Sequence, residues 1–174
     1  MKAIKKIILL SLAVAGFILS FVNTGCRVQY KFNDASIPDT IKTIKINFFE
    51  NKARYINPQL SPRLTDKLRQ KFISQTRYTQ TNNDDADWII DGYISEYSFS
   101  TSAISGQREA ANRLTVAVHF TITGGKVEQP LDYDVTRNFE FSASQSLQQA
   151  EANLLDEMIR GLTDDIFNRL FSQW

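Results

Sequence analysis

The chain is poor in the residues that staple or punctuate small domains. Its 174 residues include one cysteine, one histidine, four prolines and seven glycines. One thiol cannot close an internal disulfide, so a disulfide framework is excluded. His119, the only histidine, alternates with threonines, and the sequence places none of the partners a catalytic triad or zinc site would need beside it. A surface or structural role follows for it, and a hydrolase would have to be built on His119 alone. No G-x-S-x-G, H-E-x-x-H or phosphate-cradling glycine loop occurs. An excess of one charge is also missing. Without residues 1–25 and their three lysines, 17 basic side chains face 19 acidic ones, a formal charge of −2. A nucleic-acid partner would call for a basic surplus.

What is present begins with the leader. Lys2, Lys5 and Lys6 precede an apolar run from Ile7 to Val22, and Thr24 and Gly25 stand immediately before Cys26. This is the layout of a secretory signal followed by a thiol that cleavage would leave at the new N-terminus. Covalent lipidation, of the palmitate type, is the natural use of so placed a cysteine. Asn23 stands where a lipobox carries an apolar residue, so an uncleaved membrane anchor and a disordered tail are the alternatives. The run is slightly short of the roughly 20 residues that span a bilayer. The expected organisation is a signal peptide at 1–25, a lipidated tether at 26–40 that can pair as an edge strand, and one domain at 41–174. About 150 residues suffice for a single packed core, here without a disulfide in an oxidising compartment.

The domain reads as β-α-β-β-β-α. Ile44, Ile46 and Phe48 alternate with Lys45 and Asn47, the period of a half-buried strand. After the break at Asn57-Pro58, Ser61 and Pro62 are placed as an N-cap and first helical residue, and Leu64, Leu68 and Phe72 give a helix over 61–76. Asn82-Asn83-Asp84-Asp85 is turn chemistry. Asn83, Asp85 and Asp87 match the first ligands of a calcium loop, but Trp88 and Ile94 stand where that loop needs glycine and glutamate, so a solvated turn is expected. Strands follow at 88–101, 114–123 and 131–141, the last two joined by a turn at Gly124-Gly125. Ser146 and Gln149 form a capping box that opens a helix of about 25 residues. Two helices side by side can cover one face of a four-stranded sheet, so a two-layer α+β sandwich with an open outer face is expected.

Charge supports pairing of the helices. Residues 61–77 carry Arg63, Lys67, Arg69, Lys71 and Arg77 against Asp66, whereas residues 144–174 carry a net of −3. Two features could mark a binding surface. One is the row Arg63, Lys67, Lys71, able to receive phosphates or to serve as a solvated flank. The other is the strand at 88–101, whose second face is read as Ile89, Tyr93, Tyr97 and Phe99 and is therefore apolar on both sides. It is left exposed unless the tether or the loop at 102–112 covers it.

The runs Gly25-Cys26-Arg27-Val28-Gln29-Tyr30-Lys31-Phe32 and Ala35-Ser36-Ile37-Pro38 resemble the opening of the lipopolysaccharide-assembly lipoproteins (LptE type) of the Bacteroidetes branch. Similar too are Asn57-Pro58-Gln59-Leu60-Ser61, Asn112-Arg113-Leu114-Thr115-Val116, Ser144-Gln145-Ser146-Leu147 and Asp164-Asp165-Ile166-Phe167-Asn168. The resemblance implies a non-enzymatic protein held through acylated Cys26 in the periplasmic leaflet of the outer membrane. It further implies a β-barrel translocon of LptD type as partner, with a role in assembling it and in moving lipopolysaccharide to the cell surface. No cofactor or metal is implied. Arg63, Lys67, Lys71, Tyr93, Tyr97 and Phe99 are the candidate contacts to lipopolysaccharide or partner. The competing reading is a membrane-tethered periplasmic carrier, with an amphiphile held in a cavity between sheet and helices.

Overall fold

The computed structural model describes residues 40–101 and 111–171. The leader, Cys26 and nearly all of the tether (residues 1–39) lie outside the described residues, as does the loop at 102–110. The order of elements is β1 (Thr43–Ile46), β2 (Glu50–Asn51), α1 (Leu60–Gln75), β3 (Thr79–Gln80), β4 (Trp88–Thr101), β5 (Ala111–Thr123), β6 (Leu131–Ser142) and α2 (Leu147–Phe171). The expected α+β sandwich is what forms. Its sheet runs β3-β1-β4-β5-β6, with β2 also on β4. Two dipeptide strands, β2 and β3, are added to the four read from the sequence. β1 and β2 lie end to end along β4 in parallel pairing, and β4, β5 and β6 are antiparallel.

The break between β1 and β2 has a packing cause. The chain turns inward at Phe49, whose ring is fully buried on the backbone of Gly92. A Cβ at residue 92 would come within 2.3 Å of that ring, so the glycine is what admits it. The Phe49 N–H is then taken by Thr65 Oγ1 at 3.0 Å instead of by a strand.

Helix α1 begins at Leu60, not after a Ser61 cap. Asn57 Oδ1 accepts the Gln59 N–H at 3.0 Å, and the Asn57 carbonyl accepts the Leu60 N–H at 3.3 Å. That turn starts the helix two residues early and leaves Ser61 inside it, buried, with its hydroxyl unbonded among the described residues. Pro62 still falls in the first turn, where its missing N–H costs nothing. Helix α2 opens on the expected capping box, with the Gln149 N–H donating to Ser146 Oγ at 3.3 Å and the Ser146 N–H to Gln149 Oε1 at 3.2 Å.

The helices run side by side in the same direction, because Arg63 pairs with Asp156 and Lys71 with Asp164, eight residues on in each helix. They cover one face of the sheet, α1 against β1 and β3 and α2 against β6. Between the layers Phe49, Leu64, Phe72, Phe120 and Met158 are at most 1% exposed. An amphiphile carried between sheet and helices would need that space, and side chains fill it.

Candidate functional site

On β5, Leu114, Val116, Val118, Phe120 and Ile122 point into the core, so the alternate residues Thr115, His119, Thr121 and Thr123 form the outer face. The β4 and β6 partners complete that face with Asp91, Tyr93, Glu96, Asp132, Asp134, Asn138 and Glu140. It is polar and predominantly acidic. Its residues bond across strands: Thr121 Oγ1 to Asp132 at 2.6 Å, Thr115 Oγ1 to Asn138 at 2.8 Å, and Arg113 to Glu140 at 3.4 Å. His119 sits among them with Nδ1 2.9 Å from Asp134 Oδ1 and Nε2 3.7 Å from Asp132. It works as a cross-strand clamp on the outer face.

A depression of about 460 Å³ opens on this face where β1 gives way to β2. Asn47, Phe48, Glu50, Asp91, Tyr93 and His119 are among its lining residues. Phe48 is 52% exposed there, because the inward turn that buries Phe49 forces its neighbour outward. Tyr93 lies beside the His119 ring at 5.1 Å, and the ammonium of Lys52 sits 4.4 Å above Tyr93. Aromatic faces next to carboxylate and amide groups can hold a polar partner by stacking and hydrogen bonding.

Strand β4 differs from the sequence reading at its far end. A bulge between Ile94 and Glu96 inserts one residue, so the side chains beyond it exchange faces. Tyr97 is therefore opposite Val116 and points into the core, buried, not outward beside Tyr93. Its hydroxyl donates to Glu151 Oε1 at 2.8 Å, while Tyr55, stacked on it at 5.5 Å, reaches Glu151 Oε2 at 3.3 Å. Burial, then the bond to Glu151, pushes the Tyr97 phenol well above its usual pKa. Phe99 stands opposite Leu114, on the helix side too, yet is 57% exposed. Of the aromatic row read on the outer face, Ile89 and Tyr93 remain there.

The cationic row is also redistributed. Arg63 is committed to Asp156, and Lys71 to Asp164 at 2.5 Å while its ammonium lies 4.9 Å from the Phe167 ring centre. Lys67, between them, is exposed. The expected charge attraction between helices thus consumes two of the three cations.

Asp87 is no solvated turn. Its Oδ2 accepts the N–H groups of Lys42 and Thr43 at 2.8 and 2.9 Å and the Thr43 hydroxyl at 3.1 Å, fixing the start of β1. Those backbone bonds hold its carboxyl below the usual range. Nearby, Asp84 pairs with Lys45 at 2.5 Å.

Comparison with known proteins gives three findings. The family model described as LptE, lipopolysaccharide-assembly, matches residues 41–170. No curated protein sequence matches the chain. Among solved structures, the fold is similar to that of a putative neuraminyllactose-binding hemagglutinin homolog from Helicobacter pylori, with a TM-score of 0.56, 8% identity, and coverage of 81% of this chain and 89% of that one. A minor lipoprotein from Acinetobacter baumannii (TM-score 0.45, 17% identity, 75% and 93% covered) and the rare lipoprotein B from Shewanella oneidensis (0.43, 17%, 75% and 95%) also align.

Proposed function

Since this chain belongs to the LptE lipopolysaccharide-assembly family, we propose that it is a lipid-anchored outer-membrane component that binds a β-barrel translocon of LptD type and helps deliver lipopolysaccharide to the cell surface. The family match over 41–170 carries this reading, and the molecule's physical character supports it. Cys26 follows a signal-like leader, and acylation on more than one position would anchor the domain stably where a single chain would not. No helix among the described residues is long and apolar enough to cross a membrane. The space between sheet and helices is filled, which favours a partner-binding domain over a carrier that engulfs its ligand.

In this reading the outer sheet face contacts the partner. Tyr93 and the exposed Phe48 are its aromatic anchors, flanked by Asp91, Glu50 and the acids of β6. Phe99 adds an exposed apolar contact on the helix side of the sheet. Lys67 is the cation of the α1 row left to meet phosphate groups, whereas Arg63 and Lys71 serve the helix pair and Tyr97 the core.

Affinity purification from detergent-solubilised outer membrane tests the partner. A large barrel protein is expected to co-purify with the wild-type chain and to be lost from a Tyr93→Glu/Phe48→Glu variant that remains folded. Absence of any barrel from the wild-type eluate would refute it. Separately, in cells depleted of the barrel, Cys26→Ala is expected to move the folded domain from the membrane to the soluble fraction. Retention of that variant on membranes without the barrel would rule out acyl anchoring.

A further inference from the structure

The two edges of the sheet are finished differently. On the β1 side the main chain is occupied. The Thr79 and Thr81 N–H groups donate to the carbonyls of Lys42 and Ile44 at 2.8 and 2.9 Å. The Arg69 guanidinium donates to the Ile46 carbonyl at 2.9 and 3.2 Å, and Thr65 takes the Phe49 N–H. On the other side β6 extends for twelve residues with β5 as its one strand neighbour among the described residues. Apart from that ladder, no hydrogen bond among the described residues reaches the main chain of Leu131–Phe141. In an antiparallel strand alternate residues turn both backbone groups outward, so about six residues of β6 turn donors and acceptors to an edge that has no partner among the described residues.

Natural sheets blunt so long an edge with proline, lysine, a bulge or a covering segment. β6 has no proline or lysine within it, and its register with β5 is unbroken from Ala111↔Ser142 to Ile122↔Leu131. What it does carry is a set of acids on the outer face, Asp132, Asp134 and Glu140, with Thr136 and Asn138 between them. These acids act against pairing with a second copy. The two longest antiparallel registers that keep the outer faces together centre on Thr136 or Arg137. The first opposes Asp132 to Glu140 and the second Asp134 to Glu140, each twice by symmetry, and directly opposed like charges destabilise a strand pair. The same acids favour a strand with cations at those places. On its inner face β6 offers Tyr133, Val135, Phe139 and Phe141, which suit apolar residues between the cations, with Arg137 among them drawn back onto Asp165 of α2.

We propose that β6 is a strand-addition edge for an extended segment of another protein, with Lys or Arg at alternate positions and apolar residues between them. This goes beyond the family reading by specifying the edge and the pattern it selects. It stands whether or not that segment belongs to a barrel.

The test uses the full-length protein in detergent micelles and three ten-residue peptides. The first alternates Lys with Val, the second replaces Lys by Glu, and the third is the Lys peptide with its central Val replaced by Pro. Amide hydrogen exchange across residues 131–142 is the readout. The Lys peptide is expected to slow exchange of the outward β6 amides about tenfold, and the other two to leave it nearly unchanged. In D132K/D134K/E140K the preference should pass to the Glu peptide. Equal protection by the Lys and Pro peptides would mean charge attraction without strand pairing and would overturn the proposal. So would no protection, or slow β6 exchange without any peptide, whether sedimentation then shows a dimer or a monomer whose own 26–40 tether pairs with the edge. Because the wild-type comparison suffices, the proposal stays testable if the triple variant does not fold. A barrel that still co-purifies after a negative peptide result would retain the family reading and discard this one.

Discussion

Gly92 and Phe49 offer a sharp test of how the core dictates the broken edge of the sheet. In Gly92→Ala the new methyl would stand 2.3, 2.6 and 2.7 Å from three atoms of the Phe49 ring. Ordinary contact is about 3.5–4 Å, so the ring must retreat by roughly 1 Å. It has no room to do so, being fully buried. Overpacking of this kind costs about 1–3 kcal/mol, against a gain of about 0.5–1 kcal/mol for removing a glycine from a strand interior. The expected net loss is about 1–2 kcal/mol. Phe49→Ala alone should cost about 3–5 kcal/mol as a large buried ring is removed. In that background the vacated space accepts the methyl, and Gly92→Ala should become neutral or stabilising by up to about 1 kcal/mol. Urea unfolding followed by the fluorescence of buried Trp88 measures all four chains. A Gly92→Ala loss of the same size in both backgrounds would refute the packing argument, as would no loss in the wild type.

Three further outcomes follow from the structure. Burial raises the phenols of Tyr78 and Tyr97, so their contribution is complete below the usual tyrosine pKa of about 10 and fades as pH rises above it. Thermal melts of Tyr78→Phe/Tyr97→Phe should therefore show a shallower alkaline slope than the wild type, while Tyr97→Phe at neutral pH costs about 1–3 kcal/mol by removing a hydroxyl donor from buried Glu151. Asp87 has a lowered pKa, so its contribution is present above the usual carboxylate value and is lost as pH falls through the depressed one. Asp87→Asn should lower the urea midpoint at pH 7 and flatten its acid limb, with no change expected in the alkaline limb. At Gly161 a Cβ would meet the Arg137 guanidinium at 2.4 Å, displacing it from Asp165. Gly161→Ala should thus yield less than the roughly 1 kcal/mol expected from helix propensity, and the full amount once Asp165→Asn has removed the pair.

The parts of the fold legible in the sequence were those governed by local periodicity. Alternation on β5 and β6, the four-residue spacing of Leu64, Leu68 and Phe72, and the Ser146–Gln149 box each state a local rule that packing obeys. Opposite helix charges were legible as well, and they meet as Arg63–Asp156 and Lys71–Asp164. What escaped was set by single insertions and distant partners. The bulge after Ile94 falls in Ser95-Glu96, which carries no glycine or proline to signal it, and it moves Tyr97 and Phe99 to the other face. Asn57 displaces the expected Ser61 cap through an Asx turn, for which Asn57-Pro58 was the available signal. The role of Asp87 depends on Lys42 and Thr43, more than forty residues away, and no local pattern encodes that. Phe48 was placed with Ile44 and Ile46 on one strand face. The inward turn at Phe49 instead leaves it exposed, and so contributes an aromatic group to the outer-face depression.

The most direct test of the central claim is arrival of newly made lipopolysaccharide at the cell surface after controlled depletion of this chain. Surface labelling is expected to fall while total lipopolysaccharide is maintained, and to recover when the wild-type chain is restored. Undiminished surface arrival in fully depleted cells would contradict the account.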